Sequence, residues 1–168
     1  MVEIRPENIA TDLEAIRAVT ERAFRKTGGS SAYEHVRGRD DVVGLVAVDH
    51  RQIVGHVLFT PVRLEDVDEP LEGMGLLLLA VDPGWQGQGI GDRLTRAGIE
   101  RLRARSCPFA IVIGLADYYP RFGFVPGSRL GLECQWKGID DASFMVLMLD
   151  QAAVAGRTGV ARYVDRFE

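Results

Sequence analysis

Between Val81 and Gly91 the chain reads Val-Asp-Pro-Gly-Trp-Gln-Gly-Gln-Gly-Ile-Gly, with Gly87, Gly89 and Gly91 alternating where a helix should begin. Glycine has no Cβ, so a ligand can approach its backbone closely and its φ can be positive. A helix N-terminus offers N–H groups without intrahelical partners and a partial positive charge. Together these features make an anion site, suited above all to phosphate or pyrophosphate. At about 1.5–3 kcal/mol for each hydrogen bond to a charged partner, roughly three or four backbone donors hold a pyrophosphate without a lysine. The same spacing also serves a tight turn that binds nothing. Two familiar phosphate motifs do not fit. A P-loop needs GxxxxGK[ST], and no lysine stands here. A dinucleotide fingerprint needs GxGxxG near the first strand; Asp92 occupies the third glycine position, and the segment lies mid-chain.

The glycines need a strand to arrive on and a helix to leave by. Met74–Val81 is an apolar run between turn signals, the pattern of a strand covered on both faces. Asp82-Pro83-Gly84 ends it. Ile90, Leu94, Ala97, Gly98 and Leu102 line one side of a helix over Ile90–Arg105, with arginines opposite and Pro108 beyond. Phe109–Ile113 is a second buried strand. Upstream, Val2–Arg5 reads as a short strand. Thr11-x-x-Glu14 has the capping-box form and opens a helix over Asp12–Phe24. Lys26–Gly29 is a loop, and Ser31-x-x-Glu34 opens a short helix to Arg37. Strands at Asp41–Asp49 and Gln52–Val62 flank the hairpin-sized Asp49-His50-Arg51. Glu65–Pro70 reads as a solvated acidic turn. Downstream come a short helix over Ala116–Phe122, a strand starting at Phe124-Val125 and a last long strand over Ser143–Leu149. The tail from Gln151 has weak periodicity and no assignment. The order is an α/β mixture on one layered sheet.

Composition narrows the class further. With 168 residues, 46% hydrophobic and 26% charged, the chain suits a single globular domain. A net charge of −4 argues against a general nucleic-acid binder. No apolar run approaches the ~18–20 residues of a membrane span, and MVEIRPEN, with acids and no apolar stretch, does not read as a signal peptide. The two cysteines, Cys107 and Cys134, have no metal-ligand spacing and make no disulfide framework. The expectation is a cytoplasmic protein without a metal or a membrane partner.

Gln86-Gly-Gln-Gly89-Ile-Gly91 matches [Q/R]-x-x-G-x-[G/A], the phosphate signature of the GNAT superfamily of N-acetyltransferases. Leu79-Ala80-Val81 matches the family's preceding strand end, and Tyr119-Pro-Arg-Phe-Gly123-Phe124 matches its second signature. The chain resembles the small, single-domain predicted acetyltransferases of bacteria over nearly its whole length. The resemblance implies one N-acetyltransferase domain over 1–168. Its fold would be the acyl-CoA N-acyltransferase α/β fold: a mixed, mostly antiparallel sheet, helices on both faces, and splayed central parallel strands. Acetyl-CoA would lie in the gap between Leu77–Val81 and Phe109–Ile113. By this analogy Leu79 N–H points to the thioester carbonyl, and the Leu79, Ala80 and Val81 backbone holds the pantetheine arm. The backbone of Gln86, Gly87, Gln88, Gly89, Ile90 and Gly91 holds the pyrophosphate. Arg93 and Arg96 are candidates for the adenosine 3′-phosphate or for a solvated face.

The implied reaction is direct attack of an amine on the thioester. A lysine-like amine near pKa 10.4 is free in about one part in 2,500 at pH 7, a cost of roughly 4.6 kcal/mol. A base or a water chain must remove that proton. Tyr119 matches the family's general acid for the leaving thiolate, although Pro120 stands where the family often has Glu. Tyr118 reads as packing. Candidate bases are Glu133, His56 and Glu34, with a water route equally open. Cys134 and Cys107 read as small hydrophobes, and Trp85 and Trp136 as cover for the core. The acceptor is a small-molecule or peptide amine, read by Ala23–Arg37 and Arg129–Asp141 in this family. A non-catalytic acyl-CoA-binding module and a transferase of another acyl group are the alternatives. Oligomeric state is left open.

Overall fold

A computed structural model describes residues 1–25, 29–65 and 69–167. The chain divides into two compact units: Met1–Phe59 with Leu78–Arg101 and Arg166–Glu168, and Thr60–Leu77 with Leu102–Asp165. The architecture is α/β, a mixed and mostly antiparallel sheet with three α-helices among the described residues.

In the first unit β1 (Glu3–Pro6), β2 (Val43–Asp49) and β3 (Gln52–Glu65) pair antiparallel in succession. The turn between β2 and β3 has His50 at φ 44° and Arg51 at φ 70°. Both are positive, as a two-residue type I′ hairpin requires. Helix α1 spans Ile9–Phe24 and starts earlier than the Thr11/Glu14 pattern suggests. Asn8 is the cap: its side chain accepts from Ala10 N at 3.1 Å. Asp12 accepts from Asn8 N at 2.7 Å and from Arg5 at 2.7 and 3.1 Å. These bonds hold the Asp12 carboxyl below its usual range, the Arg5 bond most strongly. The second helical segment is a 3₁₀ helix over Gly29–Val36, not an α-helix. Residues 26–28 of the expected loop and the Ser31 side chain lie outside the described residues. Ile16 and Val19 of α1 pack with Val46, Ile53 and Ala80. Helix α2, Ile90–Ala104, buries Ile90, Leu94, Ile99 and Leu102. It comes down closely at Gly55, where a Cβ would stand 2.9 Å from Leu94 Cδ1 and 3.2 Å from the Ala80 carbonyl oxygen.

The second unit holds most of β4 (Leu71–Val81), then β5 (Phe109–Ile113), β6 (Val125–Pro126), β7 (Leu132–Cys134), β8 (Phe144–Met148) and β9 (Gly159–Tyr163). β4 and β5 are parallel; β8 runs antiparallel to both β5 and β6. The unassigned tail forms α3 (Gln151–Val154) and β9. β9 pairs antiparallel with β3 at Val62–Glu65, which is why β3 outruns Val62, and parallel with β7. In place of a helix over Ala116–Phe122 there is a 3₁₀ turn at Tyr119–Phe122, with Pro120 at its start and Gly123 ending it at φ 99°. Residues 66–68 of the acidic turn lie outside the described residues.

Candidate cofactor and active site

β4 changes character along its length. Gly73 to Leu76 are buried without interruption, and this is the stretch in register with β5, from Met74↔Ala110 to Leu76↔Val112. The strand then continues to Val81 with alternating burial: Leu77, Leu79 and Val81 are half-buried, Leu78 and Ala80 buried. Only the paired stretch has both faces covered, as the apolar run suggested. Past Leu76 one face is partly open. Tyr163 marks the change. Its hydroxyl donates to the Leu76 carbonyl at 3.1 Å. Its ring occupies the space above Gly75, where a Cβ would come within 2.4 Å of it. A buried carbonyl left without its donor costs about 1–3 kcal/mol. Tyr163→Phe is therefore expected to lower the unfolding free energy by that amount, read as a lower denaturant midpoint at unchanged m; an unchanged midpoint would mean the bond contributes nothing. Nothing in the tail's weak pattern singles out this tyrosine.

The glycine turn follows. Asp82 anchors its start. Its carboxylate accepts from Gly84 N at 3.1 Å and from two nitrogens of Arg22 at 2.8 and 2.7 Å, and its own N–H donates to Val54 at 2.9 Å. Gln86 Nε2 donates to the Val81 carbonyl at 3.0 Å, tying the turn back to the strand end. That side chain braces the loop from within. Gly87 (φ 75°) and Gly89 (φ 81°) are both left-handed, and a Cβ on either would meet nothing within 4 Å. Residues 86–89 are exposed. Gly89 accepts the first helical bond, from Arg93 N at 3.1 Å. The N–H groups at the start of α2 thus point out of the helix with no backbone partner in it. Positive φ at two alternating positions turns successive N–H groups toward one side, a concavity that suits an anion. Arg93 donates to the Val2 carbonyl at 2.8 Å.

Tyr119 is 8% exposed. Its ring meets Tyr118 edge-on at 5.0 Å and Phe124 at 5.8 Å, and fills the space beside Gly114. Burial pushes its phenol up to about 12. Tyr118 packs between Tyr119, Phe122 and the Arg121 guanidinium, 4.5 Å above its ring.

The base candidates fall in different settings. Glu34 is engaged by Arg17. Glu133 is exposed and, with Cys134 and Trp136, lines a cavity of about 390 Å³. Cys107 donates to the Phe109 carbonyl at 3.2 Å, and burial raises its thiol, so it stays protonated. His56 is fully buried on β3, with Nε2 2.6 Å from Glu7 Oε2. Glu7 reaches it by lying across Gly44, where a Cβ would be 2.1 Å from its carboxyl carbon. Burial holds the imidazole below its ordinary value, outweighing the Glu7 bond. The ring is then neutral, donates from Nε2 to the carboxylate, and leaves a buried Nδ1 without a partner. Because the folded value lies below an unfolded one near 6.5, the unfolded chain takes up its proton first on acidification. The resulting stability is full above about pH 6.5 and declines as pH falls toward the folded value, by at most about 1.4 kcal/mol per pH unit. His56→Gln is expected to remove this slope in urea unfolding measured from pH 7.5 to 5.5. Equal slopes in both proteins would refute the assignment.

Among the described residues no group of three or more His, Cys, Asp or Glu is arranged to hold a metal ion, and no helix is long and apolar enough to cross a membrane.

A mixed, mostly antiparallel sheet with a parallel β4–β5 pair, and a strand β4 that runs through a glycine turn into a helix N-terminus, is the arrangement of an acyl-CoA N-acyltransferase fold. The chain belongs to the GNAT acetyltransferase family: the model of the acetyltransferase (GNAT) domain matches residues 3–127. It is 32% identical over 161 residues, 95% of each chain, to the uncharacterized N-acetyltransferase YhbS of Escherichia coli K12. The crystal structure of Escherichia coli YhbS in complex with CoA superposes with a TM-score of 0.87 at 31% identity, over 99% of this chain and 93% of that one. A GNAT family acetyltransferase from Brucella melitensis in complex with acetyl-CoA gives 0.74 at 27% identity, over 100% and 99%.

Proposed function

We propose that this chain is an acetyl-CoA-dependent N-acetyltransferase, one functional domain over 1–168. The observation that carries the reading is the exposed, left-handed glycine pair at the α2 N-terminus, in a chain so similar to a relative crystallised with CoA. The Gln86–Gly91 backbone binds the pyrophosphate. The open edge of β4 at Leu79, Ala80 and Val81 pairs with the pantetheine amides, as an added strand would. The Val81 carbonyl keeps one lone pair for this, the other being taken by Gln86.

The amine nitrogen attacks the thioester carbon, the C–S bond breaks, and the thiolate leaves while the nitrogen loses its proton. Tyr119 serves the departing sulfur. Proton removal from the amine runs through water or one of the carboxylates facing solvent. His56 is a poor candidate for direct contact, being fully buried.

The test is release of free CoA thiol from acetyl-CoA across a panel of amines. For a lysine-like acceptor the rate is expected to rise about tenfold per pH unit below the amine pKa. A flat profile from pH 6 to 9 would overturn direct attack by an ordinary amine. Binding of acetyl-CoA with no thiol release for any amine would make the chain a binding module instead.

A further inference from the structure

The cavity of about 390 Å³ that Glu133 lines is also lined by Leu132, Ile139, Phe144, Trp136 and Asp141. All of its lining residues belong to the second unit. Its volume is that of a small-molecule site. The lining carries two carboxylates and no lysine, arginine or histidine among the described residues. Arg129 and Lys137 belong to the same stretch of chain, but neither lines the cavity. Glu133 and Asp141 are exposed, and neither has an ion-pair partner among the described residues.

β9 builds one wall and connects it to the strands proposed to hold the cofactor. It holds Glu133 opposite Val160 in the parallel ladder with β7, and Tyr163 N donates to Gln135 Oε1 at 2.7 Å. The Trp136 and Tyr163 rings meet at 5.8 Å. Tyr163 in turn donates to the carbonyl of Leu76, the last β4 residue in register with β5. One ring thus separates the cavity wall from the point where that register ends. The sheet face is the same as well. Gly75, under the Tyr163 ring, pairs with Ile111, and Phe144 of the cavity pairs with Ile113. Paired residues share a face, and so do residues two apart on one strand. Ile113 ends β5, and the Tyr119 ring lies against Gly114 just beyond it. The cavity therefore opens at the strand end where Tyr119 stands. In open α/β sheets, ligands bind outside the carboxyl ends of the strands.

We propose that this cavity receives the far end of the acceptor and that this end is a second ammonium, so that the substrate class is diamines. One amine attacks the thioester while the other is held by Glu133 and Asp141 beside the Trp136 ring. Carboxylates accept charge-assisted hydrogen bonds from an ammonium, and an indole face attracts it. Leu132, Ile139 and Phe144 suit the methylenes between the two nitrogens. Glu133 then acts on the nitrogen that does not react. This proposal rests on the transferase reading and narrows it.

The experiment titrates the CoA-saturated full chain with three probes of matched length that mimic product and need no turnover. Mono-N-acetyl-diaminopentane is cationic at its far end, N-pentylacetamide neutral and acetamidopentanoate anionic. The cationic probe is expected to bind about tenfold more tightly than the neutral one, because exposed charge pairs and cation–π contacts each add modestly. The anionic probe is expected to bind most weakly. Glu133→Gln combined with Asp141→Asn is expected to abolish the cationic preference, and Glu133→Lys combined with Asp141→Lys to reverse the order, with the affinity for CoA unchanged in both. Both positions are exposed and the amide substitutions are isosteric, so the fold is expected to hold, as circular dichroism checks. Equal binding of the cationic and neutral probes by the wild type would overturn the proposal. So would a preference that survives the double amide substitution, or binding of none of the probes by a chain that binds CoA. Failure of the transferase reading is read separately, as a wild type that does not bind CoA, or that binds it and releases no thiol with diaminopentane or any other amine.

Discussion

Gly89→Glu is expected to give a folded protein that no longer retains acetyl-CoA. The substitution is nearly free of conflict with the protein itself. A Cβ at this position meets no heavy atom within 4 Å, and the residue is exposed. What the protein resists is the conformation: at φ 81° an L side chain is strained by about 1–2 kcal/mol. The ligand resists far more. The carboxylate would stand at the mouth of the proposed anion site and repel the pyrophosphate, while its bulk would lift the phosphates from the N–H groups of the α2 start. Losing two charge-assisted bonds at about 1.5–3 kcal/mol each weakens binding by more than a hundredfold. Gly89→Ala separates the causes, since it carries the strain and some bulk but no charge; a modest loss is expected from it. Isothermal titration with CoA measures all three proteins, and circular dichroism checks the fold. Micromolar binding by Gly89→Glu would remove the turn from the cofactor site.

This turn was legible in the sequence because its physics is local. Alternating glycines, an apolar strand before them and an amphipathic helix after them lie within one continuous stretch, and the observed β4, turn and α2 follow that stretch closely. Local chemistry misled where two caps competed. Thr11 and Glu14 have the capping-box types, but Asn8 and Asp12 win because Arg5 from β1 reaches the Asp12 carboxylate. The rest depends on partners far apart in sequence. β9 has only five residues and becomes a strand because β3 and β7 offer it edges. Tyr163 matters through a carbonyl 87 positions away. Glu7 and His56 come from the end of β1 and the middle of β3, and no spacing rule links them. The helix expected at Ala116–Phe122 shrank because Pro120 lacks a donor and Gly123 turns left-handed, leaving one tight turn that carries Tyr119.

Tyr119→Phe is expected to lower turnover by about ten- to a hundredfold and leave the affinity for CoA unchanged. The magnitude follows from the phenol's setting. Burial lifts it to about 12, so it holds its proton throughout the range in which an amine becomes free. A phenol at that value does not hand its proton outright to a thiolate near 8.5; the gap of about 3.5 units is roughly 4.8 kcal/mol uphill. The contribution proposed for it is instead a hydrogen bond to sulfur that strengthens as charge develops there. One such bond to a charged partner is worth about 1.5–3 kcal/mol, which sets the fold-change. Full proton transfer would be worth up to about 10⁴-fold. The ring itself is retained in phenylalanine, so the contacts with Tyr118 and Phe124 survive and the fold should not suffer. The pH profile tells the two roles apart. With a hydrogen-bonding phenol near 12, wild-type kcat shows no fall between pH 7 and 10. A fall there that Tyr119→Phe lacks would mean the bound thioester lowers the phenol enough for complete transfer. An unchanged kcat in Tyr119→Phe would take the tyrosine out of the reaction altogether.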